Sequence, residues 1–362
     1  MQFVNITVDT SGLYPVPTRD MGTLAIVGVG NTSVSGSMVP VKLTSYAEVD
    51  ALYPTDSDLS IAIKLAFANG AAAIWAVDTK IAKTLDAIED ALETLETKDV
   101  QIVVIANTVE TDSDTYISTA LTNHVKSSVT DRVGVFMLAS GEDVDTMPTA
   151  IATMQSAGND RMIAIAHNST TDVAAAVGGI LASLNPWESV VNKPLVNVAN
   201  ATDFTTTQMT ALAAAQINYI FDPLYLAGTT NVLRTGYTLG TIADGIHFID
   251  VRRTIDDISY KLKVGLTNPN VIGNLRINRS GISELIGYIT GIMQPCVKSG
   301  EIDSFDIDIP IAAILAKEID ERTTAEAAVL AAARTSRTVS GSVVIEYSGA
   351  IHTLNLELNY VA

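Results

Sequence analysis

Short apolar runs alternate with amphipathic stretches of helical period from residue 23 to residue 215. TLAIVGV (23–29), AAIWAV (72–77), QIVVIA (101–106), VGVFML (133–138), MIAIA (162–166) and LVNVA (195–199) read as strands. They are too short for helices and apolar on both sides, as strands buried between two layers must be. Between them, helices are predicted over 45–54, 58–69, 81–96, 145–156, 171–184 and 207–215. Ser45 is placed to cap the first, and Gly70 to end the second. In the third, Ile81, Leu85, Ile88, Leu92 and Leu95 recur at spacings of three and four. Such a beat predicts an α/β fold with a largely parallel sheet.

The rhythm breaks in the Gly- and Thr-rich stretch 225–245, and the last third has a different grain. HFIDVRRTIDDISYKLKVGL (247–266) reads as a strand running into a helix, 280–294 as a helix, 302–309 as a strand and the alanine-rich 311–335 as a helix. The two ends differ again. Val4, Ile6 and Val8 alternate with Asn5, Thr7 and Asp9, followed by a linker with Pro15 and Pro17. SVVIEY (342–347) reads as a strand. After a Ser-Gly turn, Leu354, Leu356, Leu358 and Tyr360 share one face of a final strand, opposite Thr353, Asn355, Glu357 and Asn359. The predicted organisation is therefore a strand arm and linker (1–20), an α/β body (21–245), an α+β domain (246–335) and a C-terminal strand arm (336–362).

The sequence carries little recognisable chemistry. GVGN (28–31) follows a strand, but Ser33 stands where a dinucleotide loop needs its third glycine, and Pro40 opposes the helix that should follow. A tight turn is the better reading. There is no phosphate loop, and no nucleophile elbow. His124, His167, His247 and His352 form no metal-binding spacing, and Cys296 has no neighbouring base to activate it. One cysteine forms no internal disulfide, which suits a reducing compartment. A formal charge of −18 argues against nucleic acid as a partner, since phosphate recognition needs a basic surface. The N-terminus does not resemble a secretory signal, and no stretch is long and apolar enough for a membrane span. The expectation is a protein with no catalytic residues, cofactor or metal.

The order of these segments resembles the sheath proteins of contractile tails, in particular Mu-like phage sheaths and those of R-type bacteriocins and related injection machines. YPVPTRDMGTLAIVGVG (14–30) looks like the linker and first strand of a sheath. SYAEVDALYP (45–54) and LSIAIKLAFANGAAAIWAVD (59–78) are similar to the family's next segments. ALAAAQINYI (211–220), HFIDVRRTIDDISYKL (247–262) and SGAIHTLNLELNYV (348–361) resemble the later signatures, including the Arg-Arg helix and the closing turn and strand.

The resemblance implies a structural subunit that forms a helical homo-polymer of stacked hexameric rings around a tail tube protein. Contraction of that polymer drives the tube through a cell envelope. Its other partners would be baseplate and tail terminator proteins. It would reside in a virion tail or injection-machine sheath assembled in the host cytoplasm, without direct membrane insertion. Strands tethered at both ends by Gly, Ser and Pro suit strand donation between copies. The residues expected to carry the exchange are Val4, Ile6, Val8, Val343, Ile345, Tyr347, Leu354, Leu356, Leu358 and Tyr360. The linkers 10–20 and 335–342 would act as hinges. Lys317, Arg322 and Arg334, on the predicted helix 312–334, are candidates for touching the tube. The alternatives are another self-assembling structural protein, such as a surface-layer or capsid subunit, or a doubly wound enzyme.

Overall fold

A sheet covered by helices on both faces needs central strands that are apolar on both sides, and this chain supplies them. The computed structural model describes residues 22–30, 38–81, 83–111, 113–127, 131–199, 202–223, 231–269 and 271–352. The main sheet contains β1 (Leu24–Gly28), β2 (Val41–Leu43), β3 (Ile74–Asp78), β4 (Ile102–Ile105), β5 (Val133–Met137), β6 (Met162–Ala166), β7 (Asn218–Phe221) and β8 (Val232–Leu233). Their spatial order is β2-β3-β1-β4-β5-β6-β7-β8. The interior pairings are parallel, and only the edge strands β2 and β8 run antiparallel. β1, β5 and β6 are buried throughout.

Alternate residues serve opposite layers. Leu24, Ile26, Ile102, Val104, Ile163 and Ile165 pack with α2 (Asp58–Ala68) and α6 (Val173–Ser183). Ala25, Val27, Val103, Ile105, Phe136 and Ala164 face α3 (Leu85–Thr94), α4 (Thr122–Ser127), α5 (Thr149–Ser156) and α7 (Thr206–Ala214). Each fully buried aliphatic side chain contributes about 1.5–3 kcal/mol of transfer free energy, which makes both strand faces stabilising. Gly178 and Gly179 let α6 approach its neighbours closely. A Cβ on Gly179 would stand 2.4 Å from the Ala66 carbonyl oxygen of α2.

Local chemistry sets most boundaries. Ser45 caps α1 (Tyr46–Leu52), accepting from the Glu48 N–H. Gly70 closes α2 with φ of +103°, a region open to glycine. A capping box of Thr205 and Gln208 starts α7.

Several expectations fail for identifiable reasons. Residues 195–199 form no strand: Asn197 adopts φ of +59°, and the isolated bridge to Val232 is made by Pro194, just before the segment. The strand expected before the Arg-Arg segment is reduced to a bridge between Phe248 and Tyr237, and α8 begins at Ile249. The predicted helix 145–156 begins only at Thr149, after Pro148. Strands β2, β7 and β8 and a π-helical turn (Tyr116–Leu121) were not foreseen.

The described residues fall into two compact units, with the boundary at Asp256/Asp257. This differs from the expected 245/246 because the boundary lies inside α8 (Ile249–Leu266). The second unit contains the rest of α8, α9 (Arg279–Lys298), β9 (Ser304–Asp308), α10 (Pro310–Ala316), α11 (Thr324–Ser336) and β10 (Ser342–Glu346). The single helix expected over 311–335 is broken, since Lys317 and Arg322 have extended backbones flanking a 3-10 turn. β10, expected to begin a free arm from residue 336, belongs to this unit through Ser348.

Ile258, Ile282, Ile289, Met293, Ile302, Ile309, Leu315 and Leu330 form the second unit's core. Beside it lies a buried polar group. Lys261 Nζ is 2.6 Å from Asp257 Oδ2 and 2.7 Å from Glu301 Oε2. Burial opposes the charge on Lys261, but the two carboxylates outweigh it and raise its pKa. Burial and the Glu301 carboxylate push the Cys296 thiol up to about 11, so it is a poor nucleophile at neutral pH.

Candidate assembly surfaces

β9 and β10 form a two-stranded antiparallel sheet, with Val343 opposite Ile307 and Ile345 opposite Phe305. These four side chains are half-buried against the second unit's core, while Asp306, Asp308, Val344 and Glu346 face outward. Val343 and Ile345 therefore pack within their own chain. Each strand has one paired edge; the other carries unpaired ladder positions among the described residues. Two strands alone are a marginal sheet, and a free edge is a template for another strand. What remains here for a neighbour is backbone. Tyr347, half-buried, directly follows β10. Val4, Ile6, Val8, Leu354, Leu356, Leu358, Tyr360 and the 10–20 linker lie outside the described residues.

The three cations proposed from sequence all have partners in their own unit. Lys317 pairs with Glu326. The hydrogen bond from Lys317 holds the Glu326 carboxyl below its usual pKa. Arg322 donates from Nε to the Ile314 carbonyl at 3.1 Å and from Nη2 to the Lys317 carbonyl at 2.9 Å. Arg334 Nε donates to the Ile277 carbonyl at 3.2 Å. The two arginines close turns and connect elements, which periodicity alone did not suggest. Much of the remaining surface of α11 is exposed alanine, with Val329 half exposed.

The Arg-Arg segment has a clear structural task in the first unit. Arg252 donates to Asp160 Oδ2 at 2.8 Å and also pairs with Asp256 one turn along α8. Asp256 in turn receives both Arg161 guanidinium nitrogens, at 2.9 and 3.1 Å. Arg161 also reaches Asp131 at 3.2 Å, and Arg253 Nη2 donates to the Leu184 carbonyl at 3.0 Å. The opening turns of α8 are thus fixed to the ends of β5, β6 and α6. A bidentate guanidinium–carboxylate pair sets orientation as well as distance. The motif was visible in sequence; its acceptors, scattered from 131 to 184, were not.

A doubly wound sheet binds ligands beyond the carboxyl ends of its strands, where the winding reverses. Here that point lies between β1 and β4, and the chain's own groups occupy it. A Cβ on Gly28 would meet the Ala106 Cβ at 2.6 Å. The Gly30 N–H, the kind of donor a phosphate would use, donates instead to Asp78 Oδ1 at 2.8 Å. The Asn107 N–H donates to Asp172 Oδ2 at 2.7 Å, and its side chain to Asp58 at 2.9 Å. Lys83 Nζ donates to the Asn107 carbonyl at 2.7 Å. Burial pushes the Asp172 pKa up, against the hydrogen bonds from Asn107 and Ala175. Three carboxyl groups so placed disfavour a phosphate.

A cavity of about 290 Å³ near the ends of β4 and β5 is lined by Glu110, Glu142 and Met147, among others. Its two acids are committed to local structure. Glu110 accepts the Ile117 and Ser118 N–H groups of the π-helical turn at 2.8 and 3.1 Å. Glu142 accepts the Ala139 N–H at 3.0 Å. Among the described residues, no group of three or more His, Cys, Asp or Glu side chains is placed to hold a metal, and no helix is long and apolar enough to cross a membrane.

No protein-family model and no curated protein matches the sequence. The fold does have relatives. It is similar to a chain of the anti-feeding prophage helical sheath in its contracted state, at a TM-score of 0.69 and 15% identity, covering 98% of each chain. The chain has the contractile-sheath fold. The same fold occurs in a sheath tail protein from Desulfitobacterium hafniense (TM-score 0.60, 11% identity, 84% of this chain and 93% of that one). It occurs again in a sheath tail protein from Listeria innocua (TM-score 0.59, 9% identity, 81% and 90%). At these identities the likeness rests on the backbone and the element order. In this chain the usual ligand crevice of the doubly wound sheet is filled by Asp78, Ala106 and Asn107.

Proposed function

We propose that this chain is the subunit of a contractile sheath: a structural protein that polymerises helically around a tail tube and contracts to drive the tube through an envelope. The observation that carries the reading is the mutual coverage of 98% with a chain from a contracted helical sheath. The likeness extends over both units instead of stopping at a widely shared α/β sheet. The filled crevice and the edges of the β9–β10 sheet, unpaired among the described residues, support a structural role over an enzymatic one.

In this reading, the end segments of neighbouring copies add strands to the β9–β10 edge, through Val4, Ile6 and Val8 at one end and Leu354, Leu356, Leu358 and Tyr360 at the other. Backbone pairing keeps copies connected while the bodies repack. No nucleotide is consumed. Self-association in stacked six-fold rings, with a tube, a baseplate and a terminator as partners, completes the proposal, as does a location in a virion tail or injection machine. Val343, Ile345 and Tyr347 would position the acceptor sheet. Lys317, Arg322 and Arg334, already engaged within the chain, would meet the tube only as part of the α10–α11 surface.

Negative-stain microscopy of the purified chain tests the reading, with hollow ridged cylinders as the expected result. Leu356→Asp and Leu358→Asp should leave a folded monomer that does not polymerise. Cylinders of normal yield from both variants would refute exchange through that face. Amorphous or flat assemblies from the native chain would refute the sheath reading.

A further inference from the structure

Near the end of the described residues, the imidazole of His352 packs into the first unit. His352 Nε2 lies 2.8 Å from Ser189 Oγ, which also accepts the Val191 N–H at 3.2 Å. The His352 ring stands edge-on to Phe248, with centroids 5.0 Å apart and an interplanar angle of 84°. A Cβ on Gly236 would stand 3.4 Å from its Cε1, an ordinary van der Waals distance, so the ring fills the niche up to that glycine. Gly349, Ala350 and Ile351 are exposed, Ile351 at 84%. Of the described residues after Ser348, His352 is thus the one whose side chain is packed.

We propose that His352 is a pH-operated latch on the root of the C-terminal segment, docked while its imidazole is neutral and released when it gains a proton. The charged and titratable groups around the niche are Asp250 on α8, Arg234 after β8, and His247. Glu188, next to Ser189 in sequence, is turned to the Asn185 N–H at 3.0 Å. His247 lies against Phe248 at 4.1 Å between centroids, and its buried Nδ1 has no hydrogen-bond partner among the described residues. Burial holds His352 below the ordinary histidine pKa; Asp250 acts upward and Arg234 downward on it. Burial lowers His247 as well.

Because the docked state favours the neutral ring, docking is complete above the ordinary histidine value of about 6.5 and weakens as pH falls below it. Acidification would free the segment that the proposed function assigns to strand exchange. The use of the latch rests on that reading, while its chemistry does not.

Hydrogen exchange of peptides spanning 345–352, measured on the dilute full-length chain and corrected for intrinsic rates, tests it. Between about pH 7.5 and pH 5.5 the native chain should lose protection by up to about tenfold, the limit set by an undocked imidazole of pKa about 6.5. His352→Gln keeps an acceptor for Ser189 and does not titrate in this range, so its protection should stay flat. Ser189→Ala should lower protection at both pH values. An unchanged native chain, or a His352→Gln variant that falls as far as the native chain, would overturn the latch. Polymer formation is scored separately. Cylinders without the pH effect refute the latch alone, and the pH effect in a chain that never polymerises refutes the sheath reading alone.

Discussion

Gly179→Ala tests the packing of the body most directly. Its Cβ would lie 2.4 Å from the Ala66 carbonyl oxygen, 2.9 Å from Ala66 Cα and 3.0 Å from Ala66 C. The obstruction is helix backbone, which cannot move aside by changing a rotamer, so α2 and α6 must separate by roughly 1 Å. Overpacking of this kind costs about 1–3 kcal/mol, and a backbone obstruction belongs at the upper end. Replacing a helical glycine by alanine returns about 0.5–1 kcal/mol. The net expectation is a loss of about 2 kcal/mol, or roughly 4–8 °C in Tm for a unit of this size. Gly178→Ala meets the side chains of Val104 at 3.0 Å and Leu24 at 3.3 Å, which can shift, and should lose less. Gly291→Ala in α9 meets nothing within 4 Å and should gain about 0.5–1 kcal/mol from helix propensity alone. Denaturant unfolding followed by circular dichroism would rank the three variants. A neutral or stabilised Gly179→Ala, or a Gly291→Ala that loses as much, would refute the reasoning.

His124 is buried against Arg132, whose Nη1 lies 2.6 Å from Nε2, and burial with this cation lowers its pKa to about 4. Its neutral form is the folded one, so it contributes stability above about pH 6.5 that is lost as pH falls towards 4, at most about 3 kcal/mol. His124→Gln should flatten that part of an acid-unfolding curve, and an unchanged slope would contradict this. Lys261→Met leaves Asp257 and Glu301 together without their shared cation and should cost about 3–5 kcal/mol at neutral pH. The loss should shrink at pH 5, since burial raises the Glu301 pKa and the site can take up a proton; a deficit independent of pH would argue against carboxylate repulsion. Arg252→Ala removes the pairs to Asp160 and Asp256 and should raise amide exchange in the first turns of α8 while leaving α9 unchanged. Uniform protection across both helices would refute the anchoring role.

What the sequence revealed was what burial on two sides enforces. β1, β5 and β6 admit no polar residue, so LAIVG, VGVFM and MIAIA were unmistakable. The Ser45 cap acts within four residues and was equally local. The misses share a different cause. LVNVA has the composition of a strand, but Asn197 tolerates a left-handed backbone and turns the chain. β8 is only Val232–Leu233 and exists because β7 offers it an edge, which no short window can show. The same limit applied to the candidate surfaces. Arg322 and Arg334 looked like free cations because their acceptors are backbone carbonyls, groups that every residue carries and no sequence marks. The Arg-Arg segment was recognised, yet its role depended on Asp131, Asp160 and Arg161 being brought together by the sheet.

The filled crevice and the uneven charge point to the same division of labour. A doubly wound sheet ordinarily keeps its strand ends open because function is there. In this chain Asp78 and Asp172 accept from the loop N–H groups, which leaves that end unsuited to an anion. The acidic excess lies almost wholly before Asp257, and the later unit is close to neutral. Bodies carrying charge of one sign repel when crowded, an interaction that salt screens over about 8–10 Å. Backbone pairing along a strand edge does not depend on side-chain charge. On the proposed reading, cohesion therefore belongs to the nearly neutral unit that presents the β9–β10 edge. The acidic bodies are left free to separate and repack, and a sheath that must change diameter without coming apart requires both.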